Sequence, residues 1–332
     1  MRDYLRNHEG EARIFIVLVV LALFLGFASP SFFSAGNIAS LLNNNAVNVI
    51  WAVGLLVVLI TGGIDISFAV GASVVQYLTA LALLALGGGN WLLGVLFAGA
   101  FGVAIGCINA TLIAGFRIIS IVVTIATFNA LFGLLMFTTS GKSIYNLPDW
   151  WTDRVAVLSL GDGGALTLPV AAMVAAMAAT WFLISRTTIG RQLYAFGDNP
   201  EGARRAGVAT VRMQFIAYSW MGMMAGIGGL MQVNVAQEVV PNALIGRELD
   251  VLAAVVLGGA RLGGGRGSVL GCFLGVLLVA VVQNGLNLLG VSPYAFKMVI
   301  GLTILAAISL TNVGLVARLA GGSRRRGHAK TH

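Results

Sequence analysis

Thr61-Gly62-Gly63-Ile64-Asp65-Ile66-Ser67 sets one carboxylate and two hydroxyls beside two glycines, between long apolar runs. An ionisable group at membrane depth is costly, so its setting alone makes Asp65 a functional candidate. The same residues suit a structural role, with Asp65 capping a helix that starts near Ile66. A second polar stretch begins at Gly246-Arg247-Glu248-Leu249-Asp250, continues through apolar Val251 to Leu257, and ends in the glycine-rich run from Gly258 to Ser268. A short apolar segment bracketed by charges and glycines marks a broken membrane helix, with Glu248 and Asp250 steadying irregular backbone. The glycine run is no phosphate cradle, because no Lys-Ser/Thr follows it. Gly141-Lys142-Ser143 ends like a phosphate loop, but Met136 stands where its first glycine is needed.

The apolar runs also carry amides: Asn43, Asn44, Asn45, Asn48, Asn109, Asn129, Asn234, Asn284 and Asn287. Neutral donors and acceptors suit a path for an uncharged, hydroxyl-rich solute. They equally suit hydrogen bonds that hold membrane helices together. His8, His328 and His332 all lie in the tails, and Lys297 is near a span end. No metal cluster, nucleophile–base pair or carboxylate dyad forms a plausible site. No catalytic residue, metal or cofactor is therefore expected on this chain, and ion coupling lacks its usual buried titrating groups.

These residues must be positioned by membrane helices. The 332 residues are 58% hydrophobic and only 10% charged; soluble domains carry about 25% charged residues. Mean hydropathy is +0.93. The net charge of +8 would otherwise suggest nucleic acid, but the bases sit in short clusters between apolar runs, which is membrane topology. Cys107 and Cys272 lie inside such runs and read as small buried hydrophobes. The 44 glycines suit closely packed membrane helices.

About 20 apolar residues span a bilayer core. Spans are predicted near 13–29, 46–61, 67–87, 91–114, 119–138, 167–185, 213–235, 250–259, 269–289 and 294–314. The prediction is an all-α, polytopic membrane helix bundle of about ten segments, the eighth too short to be an ordinary span. The first run, Ile14 to Phe27, reads as an uncleaved helix rather than a secretory signal, because bases precede it and many spans follow. With both termini in the cytoplasm, every base except Lys142, Arg154, Arg247 and Lys297 falls inside, as the positive-inside rule requires. One transmembrane domain then covers 1–332, with tails at 1–12 and 316–332, an external loop at 139–166 and a cytoplasmic loop at 186–212. Trp150 and Trp151 in the external loop are expected at the membrane interface.

The cytoplasmic loop is well punctuated. Asn199 is an N-cap, Pro200 a first helical residue and Glu201 an acid in the first turn, and Gly207 closes the helix. A two-turn exposed helix is predicted at 200–206. A pore-forming body with no visible energy source needs an energised partner, and this helix is the candidate docking element. A self-powered transporter, a passive channel and a lipid-modifying enzyme are the competing classes; no paired catalytic groups support the last.

Three stretches carry a family resemblance: ITGGIDIS at 60–67, YAFGDNPEGARRAGV at 194–208, and GRELDVLAAVVLGGARLGGGRGSVLG at 246–271, followed by NGLNLLGVSPY at 284–294. In this order the chain, from about Ser31 to Leu310, resembles permease subunits of ATP-binding-cassette importers for ribose and related sugars (xylose, arabinose, galactose, autoinducer-2-like). More distantly it is similar to branched-chain amino-acid permeases. The resemblance implies a multi-pass subunit of the bacterial cytoplasmic (inner) membrane. It implies a homodimer, or a heterodimer with a homologous permease, that binds cytoplasmic ATPase subunits carrying ATP and Mg. It also implies a periplasmic binding protein that delivers solute, and membrane lipid but no nucleic acid as further partners. Asn199, Pro200, Glu201, Ala203, Arg204 and Gly207 match the family's coupling loop, and Arg205 is expected to dock beside Arg204. Asp65 falls on the aspartate of the first motif. Phe68-Ala69-Val70-Gly71 departs from the family's usual Val-Gly, and Gly202 stands where the family often has alanine.

Overall fold

The computed structural model describes residues 9–302 apart from Asp162, Pro293, Tyr294, Phe296, Lys297 and Ile300. Residues 1–8, the tail at 316–332 and most of the span predicted at 294–314 lie outside the described residues, and 9–12, expected in the N-terminal tail, begin the first helix. The described chain is mostly helical. In order come α1 (Glu9–Ala28), α2 (Ala35–Ile60), α3 (Phe68–Ala85), α4 (Trp91–Ala110) and α5 (Ser120–Thr139). A four-residue α6 (Asp149–Thr152) and strands β1 (Ala156–Gly161) and β2 (Gly164–Thr167) follow. Then come α7 (Leu168–Arg186), α8 (Thr188–Asp198), α9 (Pro200–Arg205), α10 (Thr210–Ala236), α11 (Arg247–Leu257) and α12 (Val269–Leu288).

The core is built on α2. Ser34 caps it by accepting the Asn37 N–H at 3.3 Å. From Val49 to Ile60 every residue is buried. A helix that is apolar all round belongs inside a bundle, and α2 sits against α10, α7, α12 and α11. The outer helices behave oppositely: Phe27 on α1 is 90% exposed and Phe137 on α5 is 84% exposed. Such side chains need a lipid or protein cover.

Among the described residues, seven helices are long and apolar enough to cross a membrane: Glu11–Ala28, Ala35–Ile60, Phe68–Ala85, Trp91–Gly115, Ser120–Thr139, Leu168–Arg186 and Val269–Leu288. The helix expected at 213–235 exists as α10 and has 27 residues, yet it is not one of the seven. It is flanked by protein, so it carries Gln214, Ser219, Gln232 and Asn234 among its apolar residues. The eighth predicted segment is α11, 11 residues or about 16 Å long, too short to cross on its own. It doubles back tightly on α12: a Cβ built on Gly275 would lie 2.1 Å from the Ala254 carbonyl oxygen.

The helices alternate in direction. At one end of the bundle lie the α2–α3 and α4–α5 links, α8, α9 and the 258–268 glycine segment; Gly265 N–H bonds Ile60 carbonyl at 2.9 Å, and Ile64 N–H bonds Ser120 Oγ at 3.1 Å. At the other end lie α6, the hairpin and the start of α2, where Asn43 Oδ1 accepts the Thr167 N–H at 2.9 Å.

One feature goes beyond the sequence reading. The 139–166 segment is not simply a loop: β1 and β2 form an antiparallel hairpin within an otherwise helical chain. Its tryptophans bond to neighbouring elements of the chain. Trp151 is 0% exposed and donates to the Leu230 carbonyl at 2.9 Å, while Trp150 donates to the Gly88 carbonyl at 3.0 Å. Backbone carbonyls on neighbouring elements supply both acceptors, as indoles set against protein require.

Candidate functional site

The 186–212 segment folds as two helices where one was expected. Thr187 starts α8 by accepting the Gly190 N–H at 3.0 Å, and α8 buries Leu193 and Phe196 on one face. Asn199 caps α9 by accepting the Gly202 N–H at 2.9 Å. At its far end Gly207 takes φ +84°. The Val208 N–H reaches the Ala203 carbonyl at 3.0 Å and the Gly207 N–H the Arg204 carbonyl at 3.1 Å. That pair of bonds is the Schellman closure, and it needs a left-handed residue at Gly207. Ala206 rather than Gly207 is thus the cap residue itself.

Glu201 gathers both bases of α9. Arg204 donates to its two carboxylate oxygens at 3.0 and 3.1 Å, and Arg205 donates at 3.2 Å. These bonds hold the Glu201 carboxyl below its ordinary value, Arg204 contributing first, and raise Arg204 in return. All three side chains are well exposed, so their pairing shapes a surface rather than stabilising the fold.

Behind α9, the three sequence motifs meet backbone to backbone. A Cβ on Gly197 would stand 1.7 Å from the Ile60 carbonyl oxygen; one on Gly264, 2.6 Å from the Gly197 carbonyl oxygen and 2.9 Å from the Gly62 nitrogen. Tyr194 donates its hydroxyl to the Gly267 carbonyl at 2.7 Å. The exposed helix is therefore coupled through α8 to the end of α2 and to the glycine segment after α11 without intervening side chains.

Asp65 lies beside this junction, buried. Its Oδ1 accepts the Ser67 N–H at 2.8 Å and the Ser67 hydroxyl at 2.7 Å, and Asn109 donates to Ser67 Oγ at 2.9 Å. The carboxylate holds the turn that leads into α3, with Ser67 as the helix cap position. A void of about 10 Å³ touches Asp65, Ser67 and Asn109, about the space one water needs.

The remaining polar residues divide. Asn44, Asn48 and Asp250 line one cavity of about 230 Å³, together with Asn45, Arg247 and Gln283. It lies between α2, α11 and α12. Glu248, two residues from Asp250, instead turns back to accept its own Gly246 N–H at 3.0 Å. Asn234 donates to the Trp151 and Asp153 carbonyls at 2.7 and 3.0 Å and so ties α6 to α10. Asn284 exchanges bonds with Asn37, joining α12 to α2. Asn129 is exposed and bonds its own helix at Ile125, and Asn287 is exposed at the end of α12. Arg247 and Gln283 were missed as candidates. Arg247 did carry a signal: in the predicted topology it is one of four bases left on the external side.

A bundle of long apolar helices with a half-open polar cavity and an exposed charged helix defines a membrane transport permease. Residues 37–308 match the family described as branched-chain amino acid transport system / permease component, and the chain belongs to it. It is 34% identical to the ribose import permease protein RbsC of Escherichia coli (strain K12), over 91% of this chain and 94% of that protein. The ribose import permease protein RbsC of Bacillus subtilis (strain 168) is 35% identical, over 89% and 91%. The autoinducer 2 import system permease protein LsrC of Photorhabdus luminescens is 31% identical, over 90% and 89%. No solved structure matches the chain.

Proposed function

We propose that this chain is the membrane subunit of an ATP-binding-cassette importer for a small neutral sugar, polyol or related solute. The observation that carries the reading is α9: a doubly capped, exposed, charged helix joined through α8, backbone to backbone at Gly197, to the end of α2 and to the glycine segment beyond the end of α11. A partner that moves α9 would move both too. That partner is a cytoplasmic ATPase holding ATP and Mg, docked on the 186–212 segment through Arg204 and Arg205, with Glu201 orienting them. A periplasmic binding protein delivers the solute, and two permease subunits, identical or homologous, enclose the path.

The orientation follows from charge. Arg13, Arg117, Arg186, Arg191, Arg204, Arg205, Arg212, Arg261 and Arg266 lie toward the α8–α9 end by sequence and helix direction, which supports a cytoplasmic placement of that end. A further span near 294–314 would bring the C-terminus to the same side, giving about ten segments in a bacterial inner membrane. The import names of the relatives support the solute class.

The test is solute-stimulated ATP hydrolysis and uptake in proteoliposomes holding this chain, the ATPase and the binding protein, each omitted in turn. All three should be required. Uptake by this chain alone without ATP would make it a channel or facilitator. Arg204→Glu with Arg205→Glu should abolish ATPase docking while leaving membrane insertion intact; retained docking would remove α9 from its role.

A further inference from the structure

We propose that the cavity at the α8–α9 end of the bundle, between the α2–α3 link, the α4–α5 link and the start of α10, seats the headgroup of an anionic phospholipid, with Arg117 holding its phosphate. The proposal goes beyond the importer reading and needs only that the chain lies in a membrane.

The cavity is half-open and about 470 Å³ in volume, far more than one water needs. Its lining holds one charged residue, Arg117, and no acid; Ser120, Thr210 and Gln214 add neutral polar groups. Asp65 is outside the lining and turned to Ser67. Among the described residues no hydrogen bond or ion pair holds the Arg117 guanidinium. Arg204 and Arg205, at the same end, are by contrast tied to Glu201. Arg117 also takes φ +56°, a left-handed backbone that side chains disfavour and that concentrates at functional positions. A merely solvated base at the end of a span needs neither the cavity nor the strained turn.

The lining suits a phosphate. The planar guanidinium offers paired donors to two phosphate oxygens. Two helices begin in the lining, α5 at Ser120 and α10 at Thr210, and neither has a side-chain cap. Their first amide N–H groups add partial positive charge beside Arg117. Ser120 Oγ accepts the Ile64 N–H at 3.1 Å, which leaves its proton to donate.

The rim identifies the source of the phosphate. The 116–119 link joins two helices long enough to cross a membrane, so it lies at a membrane surface. Phe116 and Ile119, flanking Arg117, are each 70% exposed, and Ile118 and Val211 are exposed as well. A soluble phosphate would leave these apolar side chains in water. A phospholipid covers them with its acyl chains while its headgroup fills the basic pocket between the helices. One base with no acid favours an anionic headgroup over a zwitterionic one, whose ammonium would meet Arg117 as a like charge.

The test is native mass spectrometry of the full chain, stripped of lipid in detergent and titrated with phosphatidylglycerol. Phosphatidylglycerol should bind, and phosphatidylethanolamine at least about tenfold more weakly. Glycerol 3-phosphate, the same phosphate chemistry without acyl chains, should not compete at about tenfold excess. Arg117→Met, checked for a wild-type melting temperature, should weaken phosphatidylglycerol at least about tenfold, and Arg117→Lys should weaken it less; Gln214→Leu serves if Arg117→Met misfolds. Arg191→Met, which removes an exposed base outside the cavity, should leave binding unchanged. Equal binding of the two lipids, competition by glycerol 3-phosphate, or unchanged binding in folded Arg117→Met overturns the proposal; the second outcome makes the cavity a site for soluble phosphate. A chain that stays dimeric and takes up no lipid also overturns it, and assigns the rim to a second copy. Lipid binding is read without ATPase, binding protein or solute, so its failure leaves the importer reading standing, and failed ATP-driven uptake leaves the lipid site standing.

Discussion

Gly102 on α4 and Gly222 on α10 face each other with no side chain between them. A Cβ built on Gly102 would lie 2.1 Å from the Gly222 carbonyl oxygen, and one on Gly222 2.1 Å from the Gly102 carbonyl oxygen. Gly106 meets the Tyr218 carbonyl and Gly226 the Ala98 carbonyl in the same way. Both helices thus present a Gly-x-x-x-Gly ridge, and their backbones touch over about two turns. In a membrane, where apolar burial between helices adds little, such close backbone packing is a main source of association.

Gly102→Ala should therefore destabilise the chain by about 1–3 kcal/mol or more, because backbone and not a flexible side chain must yield. Gly99→Ala, three residues away on the same helix with open space around it, should change stability by no more than about 0.5–1 kcal/mol. Melting of the purified protein in detergent compares the two. Equal melting temperatures would show that the α4–α10 contact is loose.

Gly197→Ala tests the junction behind α9, where the added methyl would overlap the Ile60 carbonyl. In protein that still inserts and binds its ATPase, ATP hydrolysis should persist but lose its response to solute. A full solute response would mean that force does not pass through this contact.

Glu201 should titrate below the ordinary glutamate value of 4.5, because Arg204 and then Arg205 hydrogen-bond its charged form. A carboxyl whose folded pKa is depressed strengthens its pairing above the unfolded value and loses it as pH falls through the folded one. The α9 surface is therefore fully paired at neutral pH and comes apart only in acid. Carbon-13 titration of labelled Glu201 reads the midpoint, which Arg204→Ala should move up. An unmoved midpoint would mean that the pairing is absent in the membrane-embedded protein.

Asn234 holds the Trp151–Asp153 segment by two buried donors. Asn234→Leu leaves two carbonyls without that donor, at about 1–3 kcal/mol for a buried unsatisfied group. The 139–166 segment should become more sensitive to protease added on its own side of the membrane, with helix content unchanged. Wild-type resistance would show that the hairpin and Trp151 suffice.

Much of this molecule could be read locally. Helix caps depend on residues three or four apart, so Asn199, Pro200 and Gly207 announced α9 before any contact was known. Spans depend on apolar length, and α3, α4, α5, α7 and α12 appeared close to where hydropathy placed them, whereas α2 begins well before the span predicted at 46–61 because Asn37 and Asn43–Asn45 interrupt its apolar run. The helix α8 escaped because its apolar residues on one face are too few for a span. The hairpin escaped because Ala156–Gly161 lacks the alternation of burial that marks a strand.

Composition and local pattern by themselves determined a glycine-rich helical membrane protein with one charged exposed helix, because partition into lipid and helix capping act over a turn or a span. Tertiary structure decided what each polar residue does. Nine amides looked alike along the chain, but packing made Asn284 a tie between helices, Asn234 an anchor for a loop, and Asn43 a bridge from α2 to the hairpin. A hydrogen bond needs its partner within about 3 Å. The partners of these amides come from distant parts of the chain, so only the folded backbone could sort them.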